Sequence, residues 1–280
     1  MYDVVTLGEL LIDFTQNGYS SQGNGMFEAN PGGAPGNVLA MLNRLGHKTA
    51  FIGKVGEDYF GHLLADTLKE VGIDTKGLVF DKDVRTTLAL VHTFPDGDRD
   101  FSFYRNPGAD MMLTPEEVPE EMFEGTRLFH FGTISMTDEP VRSATMRALE
   151  LAKKHGCLIS FDPNLRPPLW KSMDEARAQV LEGLGWCQIL KISDNEIQWL
   201  TGCEDFDEGV DWIRGRFDIP LILVSMGKEG SRAYYGGAVA EAAPFITSDT
   251  VETTGAGDSF VGGLAYGILN HMELEDMLDL

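Results

Sequence analysis

A glycine-rich segment late in the chain, residues 253–260, combines small residues with a carboxylate where a helix is expected to begin. It reads Thr-Thr-Gly-Ala-Gly-Asp-Ser-Phe, and the apolar residues after it predict a helix through about Leu269. Backbone N–H groups at such a helix start bind anions, and phosphate is the obvious candidate. Asp258 has two interpretations: it stabilises the helix dipole, or it accepts the proton of a hydroxyl that attacks a phosphoryl group held by these amides.

Two better-known phosphate-binding motifs do not match this segment. A dinucleotide fingerprint of the form G-x-G-x-x-G needs glycine at position 260, where the chain has Phe260. The Walker string G-x-x-x-x-G-K-[ST] occurs nowhere in the sequence. A dinucleotide-dependent oxidoreductase is therefore disfavoured.

A second glycine-rich segment, residues 31–37, precedes the helical pattern of residues 38–45. Glycines there let a ligand approach the backbone closely, and the Asn37 amide offers donors and an acceptor to a ligand that carries hydroxyl groups. A tight turn followed by a helix start explains the same residues without a ligand. Taken alone, this segment leaves both interpretations open.

The elements that must position these segments alternate between strands and helices. Near-continuous apolar runs are typical of strands covered on both faces, and they occur at residues 4–11, 127–134, 157–161, 187–192 and 221–225. Candidate helices lie at residues 34–45, 59–71, 139–154, 173–184 and 206–217. This order predicts an α/β fold with a mostly parallel sheet covered by helices on both faces.

One stretch interrupts this alternation. Residues 86–94 and 99–105 alternate apolar and polar side chains around a Pro-Asp-Gly-Asp turn at residues 95–98, which predicts a β-hairpin. Residues 15–25 are polar and rich in glycine, and residues 26–28 are a short candidate strand that could pair with the hairpin. These strands could form a lid over a ligand or an ordinary surface hairpin, and the pattern does not decide between them.

Composition excludes some classes of function. The chain has 22 Lys and Arg against 44 Asp and Glu, a formal net charge of −22, so a nucleic-acid partner is not expected. Three widely spaced cysteines provide neither a disulfide framework nor a zinc site and indicate a reducing compartment. Because neither a signal peptide nor an apolar run of about 20 residues is visible, we expect a soluble, cytoplasmic, single-domain protein over residues 1–280 with no membrane partner.

Four motifs in order along the chain resemble the ribokinase-like sugar kinases of the PfkB family. Residues 31–45 and 252–260 are similar to the two signature segments of that family. Three segments are more specifically similar to bacterial fructokinases. They are residues 32–37, residues 103–110 (Phe-Tyr-Arg-Asn-Pro-Gly-Ala-Asp) and residues 160–170 (Ser-Phe-Asp-Pro-Asn-Leu-Arg-Pro-Pro-Leu-Trp). The resemblance covers essentially the whole chain.

This resemblance implies a three-layer α/β/α core, a small lid from residues of about 12–30 and 85–107, and ATP-dependent phosphorylation of a sugar. Its most specific implication is transfer of the γ-phosphoryl group of ATP to the primary hydroxyl of fructose, giving fructose 6-phosphate. A kinase of 2-keto-3-deoxygluconate or another sugar is an alternative, because Arg105 and Arg166 could bind a substrate carboxylate. A sugar-binding protein without catalysis is an alternative of a different class.

The resemblance also implies roles for individual residues. The catalytic positions fall at the start of the last predicted helix and comprise an anion hole and a base: Gly255, Ala256, Gly257 and Asp258. The positions that contact or cover the sugar are Asp13, Gly32, Gly33, Asn37, Phe103, Arg105, Asp162, Asn164 and Arg166. Arg105 could also meet the charge that develops on the transferring phosphoryl group. Residues 162–164 could instead form only a turn, and Arg166 could pair only with a surface acid.

The implied nucleotide positions follow two later strands and include part of the anion hole: Ser193, Ser225, Gly227, Lys228, Gly230, Gly255 and Gly257. Glu196 matches the acid of the family's N-x-x-E element, which organises Mg²⁺ and its waters, and Ser193 stands in place of the asparagine. Without the family, Glu196 is an acid in the first turn of a helix, and Lys228 is a solvated loop charge. The implied ligands are a sugar, ATP and Mg²⁺.

Two features of the chain differ from the family pattern. Glu252 stands where the family usually has aspartate beside a loop for a monovalent cation, so K⁺ is a cofactor only if the longer carboxylate still supports that loop. The chain stops at Leu280, before the helices and strand that border the adenine in relatives, so we expect an incomplete ATP site. The resemblance further implies a homodimer that forms through the lid.

Overall fold

A nine-stranded sheet organises the fold, in a computed structural model that describes residues 1–93, 99–244 and 255–278. Its strands are β1 (Val4–Leu7), β4 (Thr49–Gly56), β5 (Asp74–Asp81), β8 (Leu128–Gly132), β9 (Leu158–Asp162), β10 (Ile189–Ser193), β11 (Leu221–Ser225), β12 (Ser231–Tyr235) and β13 (Ala238–Ala242). They follow the order β13-β12-β11-β10-β9-β8-β1-β4-β5, and only the pairings of β12 are antiparallel within this sheet. The predicted mostly parallel sheet is confirmed.

A second, four-stranded sheet forms from the segments that interrupt the alternation. Its strands are β2 (Leu11–Tyr19), β3 (Gly25–Gly32), β6 (Leu88–Thr93) and β7 (Arg99–Tyr104), in the order β3-β2-β6-β7. The β6–β7 pairing is antiparallel and confirms the hairpin, whose predicted turn at residues 95–98 lies outside the described residues. The expected pairing of residues 26–28 with the hairpin is wrong, because β2 lies between β3 and β6 and pairs with both. We call this sheet the lid sheet.

Helices cover both faces of the large sheet. They are α1 (Ala34–Arg44), α2 (Tyr59–Val71), α3 (Val141–Lys154), α4 (Met173–Leu184), α5 (Asp194–Thr201), α6 (Phe206–Arg214), α7 (Ala256–Leu269) and α8 (Leu274–Leu278). Successive residues of β1 enter different cores, because Val5 belongs to the hydrophobic cluster that includes residues of α3 to α6, and Val4 belongs to the one that includes residues of α1, α2, α7 and α8. This is the three-layer α/β/α arrangement that was expected. No helix in the described ranges is long and apolar enough to cross a membrane.

The chain changes sheets at the junction of β1 and β2, although residues 4–11 read as one apolar strand. β1 ends at Leu7, and β2 begins at Leu11 in the lid sheet. Leu10 and Leu11 stay buried through the change, so hydrophobicity alone gives no sign of it. Close packing accompanies the junction, since a Cβ at Gly8 would lie 2.6 Å from Pro35 Cγ. The junction therefore sits directly against the start of α1.

Candidate active site

The last glycine-rich segment is described from Gly255 onward, and α7 begins there. Gly255 is the N-cap and has φ of +78°, in the left-handed region where glycine is favoured. It supplies no side-chain cap to the helix, and Asp258 is the acid of the first turn. The first N–H groups of α7 are thus available to an anion, as the sequence predicts.

Asp258 is half-buried and is held by the first helix. The Asn37 Nδ2 atom donates a hydrogen bond to Asp258 Oδ2 at 2.8 Å. Burial raises the pKa of Asp258, and the charge of Asp162 adds to the increase. The Asn37 hydrogen bond and the cations of Lys191 and Arg166 act in the opposite direction. Asp258 is therefore a carboxylate with increased affinity for a proton, which suits a general base.

A cavity of about 280 Å³ joins the two glycine-rich segments, and we call it the central cavity. The predicted site residues that line it are Asp13, Gly33, Asn37, Phe103, Asn164, Arg166, Gly255, Gly257 and Asp258. Gly32 lines an adjoining cavity of about 450 Å³, which also contacts Asp13 and Asn37. Asp162 lines a small cavity that reaches Asp258. Ala256 is the first residue of α7 and is not among the lining residues.

Gly32 and Gly33, just before α1, each lie so close to another part of the chain that a side chain would not fit. A Cβ at Gly32 would overlap the Asp13 carboxylate, and a Cβ at Gly33 would overlap the backbone carbonyl of Glu9. Gly33 also has φ of +120°, which side chains rarely adopt. The lid strand β2 and the start of α1 can therefore approach closely enough to share one cavity.

Lys191, which the sequence analysis did not identify, is a central cation of the site. Its Nζ atom lies 3.0 Å from Asp162 Oδ2, and a Cβ at Gly257 would lie 3.3 Å from the same nitrogen. Burial lowers the pKa of Lys191, but the carboxylates of Asp162, Glu196 and Asp258 outweigh that effect and hold it above its ordinary value. The sequence signal was a single lysine within the buried strand β10. A protonated lysine beside the anion site favours phosphate binding.

The residues after β9 form the turn that was one interpretation of them, and they also line the cavities of the site. The Asn164 N–H donates to Asp162 Oδ1 at 3.1 Å, and Asn164 has φ of +44°. Arg166 donates to the backbone carbonyls of Asn164 and Leu165 at 3.4 and 3.2 Å, and it lines the central cavity. The turn places one amide and one cation beside Asp258.

Arg105 does not occupy the position that the sequence analysis expected. Its side chain is 3% exposed and donates to Asp110 Oδ2 at 2.7 Å, to Thr137 Oγ1 at 2.9 Å and to the carbonyl of Ile134 at 3.0 Å. These bonds engage three guanidinium nitrogens, and Arg105 does not line the central cavity. In this structure it fastens the end of β7 to the core instead of facing the sugar or phosphate, because Asp110 offers a buried partner only five residues away.

Ser193 and Glu196 form a capping box at the start of α5. Glu196 Oε2 accepts from the Ser193 N–H at 2.9 Å and from its hydroxyl at 2.8 Å, and Oε1 accepts from the Leu165 N–H at 2.7 Å. Both carboxylate oxygens are thus engaged by protein donors. Among the residues of the three described ranges, no group of three or more His, Cys, Asp or Glu side chains is placed to hold a metal ion.

The loop predicted to approach ATP follows β11. Ser225 ends that strand, Gly227 and Lys228 lie in an exposed turn, and Gly230 has φ of +95° at a place where a Cβ would overlap the carbonyl of Ala242. None of the four predicted residues of this loop lines the central cavity. The loop lies at the carboxyl edge of the sheet, beside the ends of β9 and β10. Glu252 lies outside the described residues.

A half-buried carboxylate beside the open N-terminus of a helix, facing a cavity under the lid sheet, is the arrangement needed to transfer a phosphoryl group to an alcohol. Fold and site together define a small-molecule kinase. The chain belongs to the pfkB family of carbohydrate kinases, whose family model matches residues 1–280.

Individual relatives carry more specific names. "Probable fructokinase-2" of Arabidopsis thaliana is 46% identical over 270 residues, which are 95% of this chain and 82% of that protein. A double mutant of the Vibrio cholerae O395 fructokinase, solved with fructose, ADP and potassium ion, is 33% identical with a TM-score of 0.89 and covers 99% of this chain and 88% of that one. An E. coli protein assigned as Ribokinase II, solved with ATP and Mg²⁺, is 25% identical with a TM-score of 0.90 and covers 99% and 89%.

Proposed function

We propose that the protein is a fructokinase, which transfers the γ-phosphoryl group of ATP to the primary hydroxyl of fructose. The observation that carries the proposal is the contact between Asn37 and Asp258, residues 221 positions apart, in one cavity lined by both glycine-rich segments. The fructokinase name of a relative that is 46% identical over 95% of the chain supports the choice of sugar.

The chain's own groups suit each step of this reaction. Asp13 on β2 and Asn37 on α1 offer acceptors and donors to the sugar hydroxyls, and the backbone of Gly33 closes the same wall. Asp258 takes the proton of the attacking hydroxyl as the bond to phosphorus forms. The N–H groups at the start of α7, with Lys191 beside Gly257, stabilise the phosphoryl oxygens during transfer. The lid sheet excludes water and so limits hydrolysis of ATP.

ATP and Mg²⁺ are the nucleotide and metal that this reaction uses. Mg²⁺ neutralises phosphate oxygens, and it commonly binds through those oxygens and water with only one or two protein carboxylates. The described residues suit that mode and not a carboxylate cage, because both Glu196 oxygens are already engaged by protein donors. We propose that Glu196 acts on the metal only through water, and that Ser193, Ser225, Gly227, Lys228 and Gly230 border the nucleotide. K⁺ is a proposed activator, supported by the Vibrio cholerae structure.

The experiment that tests the function is a panel of sugars with Mg-ATP in a coupled assay that detects ADP, on protein of verified mass. We expect fructose to give the highest kcat/KM and a product identified as fructose 6-phosphate. If 2-keto-3-deoxygluconate is phosphorylated in preference to fructose, the protein is a kinase of that sugar acid. Arg166, which lines the central cavity, is then the expected partner of the substrate carboxylate. Sugar binding by calorimetry without ATP or ADP binding would support a non-catalytic protein.

The proposal extends to assembly and location. The lid sheet exposes four apolar or aromatic side chains, those of Tyr19, Met26, Phe27 and Tyr104. Such a surface suits a second copy of the chain, so we expect light scattering to give the mass of a dimer.

Residues 1–280 are proposed to fold as one domain, and the cytoplasm is the proposed location, to be checked by cell fractionation.

A further inference from the structure

Glu9 is a buried carboxylate that the proposed reaction does not use. It lies in the junction between β1 and β2, is 4% exposed and lines the central cavity together with Asp258. Within the described parts of the chain, Glu9 takes part in no salt bridge of 4 Å or less. Because burial of a carboxylate is costly unless hydrogen bonds compensate it, the contacts of Glu9 indicate what it does.

The carboxylate of Glu9 replaces the missing cap of α1. The N-cap residue, Gly33, has no side chain to accept a bond from the first turn. Glu9 Oε1 instead accepts from the N–H of Ala34, the first residue of the helix, at 2.9 Å. The backbone carbonyl of Glu9 also lies directly against Gly33, so a Cβ there would overlap it. One residue of the sheet junction thus contacts the helix start through both its side chain and its backbone.

The first turn of α1 carries groups that the proposed reaction needs. The Asn37 N–H bonds to the carbonyl of Gly33 at 3.1 Å, and its side chain holds Asp258. We propose that Glu9 is a positioning residue, whose carboxylate caps α1 and thereby sets the Gly33 turn for the sugar and Asn37 for the base. This inference rests on the proposed function for its kinetic consequence, but the capping contact stands without it.

Charge gives the capping contact a pH dependence. Burial raises the pKa of Glu9 to about 7, with a smaller increase from Asp110, while its own backbone N–H, the Ala34 N–H and Arg105 act in the opposite direction. The other titratable or charged groups that line cavities with Glu9 are Asp13, His130, Asp162, Arg166, Lys191 and Asp258. The ionised carboxylate is the stronger acceptor for an N–H at a helix start. The cap should therefore strengthen as pH rises through the neutral range.

The test compares wild-type protein with Glu9→Gln, which keeps the size and the carbonyl oxygen but cannot ionise. We expect the variant to fold, with kcat/KM for fructose at pH 8 lowered about tenfold, mostly through KM for fructose. KM for ATP should change less than about twofold. The wild-type KM for fructose should rise as pH falls from 8 to 6, and this rise should be absent in the variant. A remaining acid limb in kcat would belong to Asp258.

The matched control is Glu117→Gln, which neutralises another partly buried carboxylate that bonds Lys54 and lines neither cavity. It should lower the melting temperature without altering the pH profile of KM. If Glu9→Gln and Glu117→Gln behave alike in the kinetic assay, or if Glu9→Gln raises both KM values equally, the positioning role is wrong while the kinase assignment stands.

A second readout separates this inference from the proposed function. In wild-type protein labelled with ¹⁵N-alanine, the Ala34 amide proton should shift downfield as pH rises, with a midpoint near 7, because its acceptor becomes ionised. Glu9→Gln should abolish that titration. An Ala34 amide proton whose shift neither titrates in the wild type nor changes in Glu9→Gln contradicts the inference, whether or not the protein phosphorylates fructose.

Discussion

The two glycine-rich helix starts of this molecule, at α1 and α7, are built alike and used differently. Both begin at a glycine with positive φ, Gly33 at +120° and Gly255 at +78°, and neither glycine can cap its helix. At α1 the protein supplies its own anion, since Glu9 accepts from the Ala34 N–H. At α7, in the part of the chain that the structure describes, no side chain takes that place.

This difference between the two helix starts indicates that α1 positions groups of the site and that α7 takes part in the chemistry. An occupied helix start holds a fixed geometry, so α1 is suited to orient Asn37 and the sugar wall. An open helix start retains its attraction for an anion, so α7 is suited to bind the phosphoryl group that moves. Asn37 joins the two by its 2.8 Å bond to Asp258. Substitutions at α7 should therefore mainly lower kcat, and substitutions at α1 should also affect sugar binding and stability.

The largest effect is expected from Asp258→Asn at the open helix start. The amide cannot accept the hydroxyl proton, so kcat should fall by about 10³ or more, near the upper range for one acid–base group. Fructose affinity by calorimetry should change less than about threefold. A variant that retains a tenth of wild-type kcat would remove Asp258 from the role of base.

The next effect is expected from Lys191→Met, beside the same helix. Loss of the cation near Gly257 should lower kcat/KM by about 10², and Lys191→Arg should recover part of it. Because the single variant leaves Asp162 buried without its partner, the double variant Lys191→Met, Asp162→Asn serves to retain the fold. Lys69→Met, at an exposed ion pair on α2, is the control and should change kcat/KM less than about twofold. Equal effects at the two lysines would exclude the proposed phosphate role of Lys191.

At the occupied helix start, Gly33→Ala should act first on stability. Positive φ and overlap with the Glu9 carbonyl should lower the free energy of unfolding by about 1–3 kcal/mol. The control is Gly46→Ala, which has φ of +90° but no atom within 4 Å of its Cβ and should lose roughly 1 kcal/mol. Denaturant unfolding measures both. If the control loses as much as Gly33→Ala, the close approach of the sheet junction to α1 is not what makes Gly33 necessary.

The smallest effect is expected from Asn37→Ala, which breaks the link between the two helices. The Asn37 bond lowers the pKa of Asp258 against the larger effect of burial, so its loss should raise that pKa further. Since the base must be ionised, kcat falls as pH decreases through this pKa, and the acid limb of the variant should lie at higher pH than that of the wild type. At pH 7 we expect a loss of kcat/KM of roughly tenfold. An acid limb that stays in place would show that Asn37 does not set the charge of Asp258.

The same pKa shifts have a consequence for stability. Asp258 and Glu9 both have raised pKa values in the folded protein, so the folded state binds protons more tightly than the unfolded chain. Their contribution to stability is fully present below the unfolded pKa values and is lost as pH rises through the folded ones. For Glu9 that window runs from its ordinary 4.5 to about 7. Burial at the site thus costs stability at neutral pH, where the charged forms are needed.

The architecture followed from local patterns because strands such as β11 carry unbroken apolar runs, and the predicted bounds at residues 221–225 match the strand. The change of sheets after Leu7 could not be predicted, since buried apolar residues continue through it. Most residues that line the central cavity were predicted: the glycine-rich segments and Asn37 carry local signs, whereas Asp13, Phe103, Asn164 and Arg166 were implied by the family resemblance.

The residues that the sequence analysis missed or misplaced depend on distant partners. Glu9 acquires its role only because Ala34, 25 residues later, lies against it. Lys191 is a site residue because β10 places it beside Asp162 and α7. Arg105 was expected in the cavity but is held by Asp110, Thr137 and Ile134. Such pairings are decided by tertiary packing, and spacing along the chain does not reveal them.

The most direct measurement is a crystal structure of the protein with fructose and a non-hydrolysable ATP analogue. The primary hydroxyl of fructose should lie within about 3.2 Å of an Asp258 carboxylate oxygen, and the γ-phosphate should accept from N–H groups at the start of α7. A fructose molecule whose primary hydroxyl faces away from Asp258, or a terminal phosphate bound away from that helix start, would contradict the account.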